Sequence, residues 1–181
     1  IEAHHAGHLN QPSFLAPYRY TPVEHLDGKL REVARQHVGQ VWELRSPAVS
    51  IIADPIDDTV LVAGSDVRLQ AVCAAPLVPS DWEVVVRRRP PEDGHLRRMA
   101  RTSLQWNLSV WCSQGRLSDD IDPFAVSGVQ AWPDLTRMVL TPSTLPIVAL
   151  LAAGPVRLVD VPARLGISRT HVFVVLSALD N

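Results

Sequence analysis

Apolar residues recur at helical spacing over residues 23–39, where Val23, Leu26, Leu30, Val33, Ala34 and Val38 share one stripe and predict an amphipathic helix. Gly28 interrupts that stripe against helix propensity, and Gly39 is a natural stop. The period then changes. Residues 48–53 and 59–63 read as strands, with Asp54, Pro55, Asp57 and Asp58 between them as turn chemistry, so the pair predicts a β-hairpin. Ser65 is placed to cap a short helix that carries Val67, Leu69, Val72 and Cys73 and ends before Pro76. A third strand is expected over residues 82–86, its apolar run stopping at Arg87. Residues 90–94, Pro-Pro-Glu-Asp-Gly, break the chain. A long helix is expected next, over residues 95–114: Leu96, Met99, Ala100, Leu104, Leu108 and Trp111 form its stripe, and Gly115 stands in the C′ place.

The remaining pattern is helical. Residues 116–134 are rich in Asp, Gly and Pro and read as a connector. Thr141-Pro142-Ser143 opens a helix with Leu145, Ile147, Val148, Leu150 and Leu151, which stops at Gly154-Pro155. A short helix follows, with Asp160 as its cap, Pro162 in its first turn, and Val161 and Leu165 facing inward. Gly166 makes a tight turn, and Ser168 caps a last helix with Val172, Phe173, Val175, Leu176 and Leu179. The fold class expected is α+β. A small α/β part with an antiparallel hairpin covers residues 23–115, behind an N-terminal arm at 1–22. The connector at 116–134 leads into a helical part at 135–181.

The stretch from Val156 to Leu179 resembles a helix-turn-helix of the winged-helix type, carried by Leu158, Val161 and Leu165, then Gly166-Ile167-Ser168, then the apolar last helix. Together with the stretches around Trp111 and Trp132, it is also similar to a group of proteobacterial proteins in which a small α/β part precedes a winged-helix-like end; that likeness brings no assigned activity. The resemblance implies a recognition helix whose readers are Arg169, Thr170 and His171, with Arg157 and Arg164 meeting phosphates. The chain departs from a DNA reader in three respects. The last helix turns apolar at Val172-Phe173-Val174-Val175, no basic wing follows it, and Asp160 and Asp180 offset the local arginines.

Composition adjusts this picture only slightly. The 181 residues carry a formal net charge of -2, so no whole-chain basic attraction draws the protein to nucleic acid. Two cysteines, Cys73 and Cys112, are too few for a disulfide scaffold and read as buried thiols in a reducing cytoplasm. No apolar run is long enough to span a membrane, and no signal peptide is evident.

Six arginines fall within fifteen residues: Arg87, Arg88, Arg89, Arg97, Arg98 and Arg101. Guanidinium groups bind phosphate bidentately, so this cluster is a candidate site for a phosphorylated nucleotide. The plainer reading is a solvated face neutralised by Asp81, Glu83, Glu92 and Asp93. Two acidic groups, Asp54/Asp57/Asp58 and Asp119/Asp120/Asp122, lack the spacing of a calcium loop and read as turns. His4, His5 and His8 read as a chain end, not a metal site. No nucleophile elbow, phosphate-cradling loop or helical metal pair is present, so no catalytic residues, metal or cofactor are expected.

The class expected is therefore a non-enzymatic regulator or adaptor with a protein partner, and homodimerisation is open. A DNA-binding regulator and a nucleotide sensor are the alternatives. An exposed Trp106 or Trp132 would favour a partner surface.

Overall fold

The computed structural model describes residues 12–92 and 94–180. It is an α+β protein whose main sheet is antiparallel, and the chain divides into two compact units. One unit holds residues up to Thr21 together with Ser113–Asp180; the other holds Pro22–Cys112. The chain thus changes unit at 21/22 and 112/113, and residues 116–134, expected as a connector, lie inside the first unit.

The first unit begins with α1 (Pro12–Leu15) and β1 (Arg19–Tyr20). Read from the sequence as part of an arm, this segment is instead held by long-range bonds. The Arg19 guanidinium donates to the Asp119 carboxylate and carbonyl at 3.0 Å and to the Ile121 carbonyl at 2.8 Å, and Thr21 Oγ1 donates to Asp119 at 2.7 Å. Leu15 and Tyr20 are buried. Bonds that reach a hundred residues along the chain leave no local periodicity to read.

The second unit is a two-layer α/β fold. Helix α2 (Leu26–Gln36) leads into β2 (Val41–Arg45), β3 (Ser50–Asp54) and β4 (Thr59–Ala63), then α3 (Asp66–Cys73), β5 (Glu83–Arg87), β6 (Arg97–Ala100) and α4 (Arg101–Ser113). The five strands form one antiparallel sheet in the order β5-β2-β3-β4-β6. Cross-strand partners share a face, so the register puts Trp42, Leu44, Ile51, Ala53, Val60 and Val62 on one side. All six are buried. The buried stripes of the helices, Leu26/Leu30/Val33, Leu69/Cys73 and Leu104/Leu108/Cys112, supply the second layer. The opposite side carries Val41, Ile52 and Leu61, a small cluster against which Leu96 packs. Leu96 belongs to the connection that carries the chain from edge strand β5 to the other edge, β6.

Several expected elements differ in detail. The helix expected over 95–114 splits into β6 and α4. Leu96 and Met99, placed on one helical stripe, fall on opposite faces of the sheet, because residues 97–100 satisfy the open edge of β4 by pairing with it. Val23 lies in a 3₁₀ turn (Pro22–Glu24), and Val38 lies beyond the end of α2; both are exposed, so the stripe is shorter than expected. Strand β2 was not anticipated. Gly28 is explained by contact: a Cβ there would stand 2.1 Å from the Pro22 carbonyl oxygen. Ser65 caps α3, accepting from Arg68 N–H at 3.4 Å.

The first unit resumes with β7 (Leu117–Ser118), parallel to β1, and β8 (Val126–Ser127). Then come α5 (Thr144–Ala153), β9 (Val156–Arg157), α6 (Val161–Leu165) and α7 (Arg169–Leu179). Strand β9 pairs antiparallel with β8. Gly166 takes the left-handed conformation (φ +64) between α6 and α7, which only glycine adopts at little cost. Ser168 caps α7, accepting from His171 N–H at 3.4 Å. Asp160, expected as a cap, makes no side-chain capping bond, and neither does Ser143 before α5. Among the described residues no helix is long and apolar enough to cross a membrane.

Candidate interaction surfaces

The arginine cluster does not converge on one site. Arg87 lies on β5 and Arg97 and Arg98 on β6, the two opposite edges of the sheet, with Arg101 at the start of α4. Among the described residues four of the six form ion pairs, and their acids are not the sequence neighbours that were expected. Arg87 Nε donates to Glu43 at 2.8 Å, Arg97 pairs with Asp66 at 2.6 Å, Arg98 with Asp57 at 3.1 Å, and Arg101 with Asp58 at 2.6 Å. Glu83 serves Arg45 instead. Asp93 lies outside the described residues. Arg89 and Arg98 line a common groove, of about 470 Å³, together with Glu92, Leu61 and Leu96. Arg98 enters it already bonded to Asp57 and Thr59.

Glu43 was not singled out by sequence. It is a buried carboxylate in the middle of β2, one of the central strands. Burial pushes its carboxyl up, but the Ser50 hydroxyl, donating at 2.6 Å, and the Arg87 guanidinium outweigh burial and leave it below the ordinary glutamate value. A carboxylate with a lowered folded-state pKa contributes stability that is complete above its unfolded value of 4.5 and is lost as pH falls through the lower folded value. Acid unfolding of the wild type should therefore steepen below about pH 4.5, and Glu43→Gln should flatten that limb. Urea midpoints measured across the acid range check this; an acid limb equally steep in the variant contradicts it.

A second buried polar group joins α2, α3 and α4. Ser109 Oγ donates to Asp27 Oδ2 at 3.4 Å, and Arg31 approaches the same oxygen at 3.7 Å. Cys73 and Cys112 are buried, reduced thiols that meet across α3 and α4. The hydrogen bond between them, then burial, then the nearby charges push the Cys112 thiol well above its usual range. It is held protonated, the form least suited to nucleophilic work. Beside the two cysteines already read as buried thiols, the i, i+4 spacing of Asp27 and Arg31 was a signal of this group in the sequence. Among the described residues no set of three histidine, cysteine or acidic side chains is arranged to hold a metal ion. His4, His5 and His8 lie outside the described residues.

In the first unit, Arg157, Arg164, Thr170 and His171 are exposed and Arg169 is half-buried. The expected readers on α7 are not equally available. Arg169 stacks over the Phe14 ring, 5.3 Å from its centroid, and Thr170 packs close to Gly115. Tyr18 meets Phe173 edge-on at 6.4 Å. The apolar side of α7 forms core: Val172, Phe173, Val175, Leu176 and Ala178 are all buried.

The same unit contains a groove of about 490 Å³ whose apolar wall is built by Leu151, Leu158, Leu176 and Leu179 and whose rim carries Asp120, Asp122 and Asp180. Residues 120–133 form one side, tied down where Leu158 N–H donates to the Ala125 carbonyl at 3.1 Å and Val129 N–H to the Leu151 carbonyl at 3.1 Å. Ala131 and Pro133 line the groove, and Trp132 between them is 56% exposed. Trp106, by contrast, is buried in the other unit. No protein family, curated protein or solved structure matches the chain.

Proposed function

We propose that the protein is a non-enzymatic regulator or adaptor that acts through protein–protein contact, in a cytoplasmic setting that suits its two reduced, buried thiols. The observation that carries this reading is Trp132. A tryptophan 56% exposed beside an apolar groove has no packing reason to remain in water, and such side chains are the usual anchors of interfaces. The acidic rim favours a partner segment with apolar anchors and basic flanks.

DNA binding through the winged-helix-like end is the second reading. It is weakened by Arg169, whose guanidinium is stacked on Phe14, and by the apolar residues of α7 committed to the core. Nucleotide sensing has less support still, since the arginines divide between two sheet edges and most hold carboxylates. Anisotropy of labelled duplex DNA at two salt concentrations separates the first two. The adaptor reading expects no salt-sensitive binding, whereas tight binding at physiological salt overturns it. On the positive side, Trp132→Ala should weaken a purified partner by about 2 kcal/mol, roughly thirtyfold in Kd, while circular dichroism stays unchanged.

A further inference from the structure

Strand β5 is an edge: among the described strands its one hydrogen-bonded neighbour is β2. An edge strand leaves a row of backbone N–H and C=O groups open on its outer side, and stable proteins usually blunt such edges with lysine, proline or an inward charge. The centre of β5 has none of these. It reads Glu83-Val84-Val85-Val86-Arg87, and Val86 is 53% exposed.

That pentapeptide is complementary to itself in one orientation only. With a second copy antiparallel and the two-fold axis at Val85, Val85 faces Val85, each Val84 faces a Val86, and each Glu83 faces an Arg87. Parallel in-register pairing would set glutamate against glutamate and arginine against arginine, which is unfavourable. The sheet register places Val84 and Val86 opposite Leu44 and Trp42, on the apolar side, and Glu83, Val85 and Arg87 opposite Arg45, Glu43 and Val41, on the other. Glu83 already pairs with Arg45 at 2.7 Å and Arg87 with Glu43. Edge pairing would therefore join two intrachain ion pairs into a row of alternating sign, while half-buried Val84 and exposed Val86 continue the apolar face across the seam.

We propose that β5 is a self-association edge through which a second copy of this chain extends the five-stranded sheet across a two-fold axis at Val85. It rests on the second unit alone and stands apart from the Trp132 reading. The contact is short, five residues a side, so the dimer is weak and concentration-dependent.

Sedimentation of the full chain over a concentration series tests this, with circular dichroism as the control for folding. A reversible monomer–dimer equilibrium is expected. Val86→Lys, which puts a charge on the apolar side twice per dimer, should raise the dimer Kd by about tenfold to a hundredfold. Cross-linking reads the register directly, because Cys73 and Cys112 are buried and do not compete. Val85→Cys should form a disulfide with itself under mild oxidation. Val84→Cys and Val86→Cys should link only when the two variants are mixed. A chain that stays monomeric to its solubility limit overturns the proposal, as does a dimer whose Kd Val86→Lys leaves unmoved. If Val86→Lys fails to fold, the cross-links decide: self-linking at Val85 supports the edge, and its absence overturns it.

Discussion

Replacing Gly28 with alanine is expected to destabilise the sheet-bearing unit by about 3 kcal/mol, the upper range for overpacking a tight contact. The sign is what makes the experiment informative. At an ordinary helical position, glycine to alanine stabilises by roughly 0.5–1 kcal/mol, because alanine has less conformational freedom to lose. Gly28 occupies the first turn of α2, where a Cβ would stand 2.1 Å from the Pro22 oxygen, 2.3 Å from its carbonyl carbon and 2.6 Å from the Val23 nitrogen. All three are backbone atoms, so no side chain can swing aside. The turn that carries them is also anchored, by His25 N–H to the Pro22 carbonyl at 2.8 Å and by Leu77 N–H to the Glu24 carbonyl at 2.7 Å. Relief therefore requires moving the turn and breaking bonds that hold it. Urea unfolding followed by circular dichroism measures the effect. A variant as stable as wild type, or more so, would mean that the turn yields and that the close approach has little energetic weight.

Phe173→Ala should cost about 4 kcal/mol, in the range measured for large-to-small changes at fully buried aromatic sites. Phe173 is among the largest fully buried side chains, on the apolar side of α7, with Tyr18 against its edge. Truncation removes the transfer free energy of the ring and leaves a cavity that neighbours on α5, α6 and the N-terminal segment cannot collapse to fill without leaving their own contacts. Phe173→Leu retains most of the volume and should cost roughly 1–2 kcal/mol. Thermal unfolding of both variants tests the ranking, and a loss below about 1 kcal/mol for alanine would contradict a core role for α7. The comparison also bears on function. His171 and Arg164 are exposed, so changes there should leave the fold intact and report on binding alone.

Much of the local structure was legible. The hairpin at β3 and β4, the capped helix α3, and the three terminal helices with their glycine turn follow from short-range rules: alternation, turn residues, a serine cap, and glycine where φ is positive. The α+β class follows from the change of period alone. Strand β2 escaped because a central strand buried on both faces shows no alternation, and Glu43 in its middle looks like a surface residue until Ser50 and Arg87 are brought beside it. The start of α4 was misplaced because residues 96–100 fit helical spacing, whereas the open edge of β4 decides in favour of a strand.

The sequence by itself determined the β3–β4 hairpin, the capped helix α3, and the terminal helices with their glycine turn, since these depend on interactions a few residues long. Only the tertiary structure decided how charges and edges are used. It gave four arginines carboxylates more than thirty residues away. It also stacked Arg169 on a ring from the start of the chain, left Trp132 in water, and placed β5 at the rim of the sheet. Such pairings are set by loop closure and packing over the whole chain, and no local pattern encodes them.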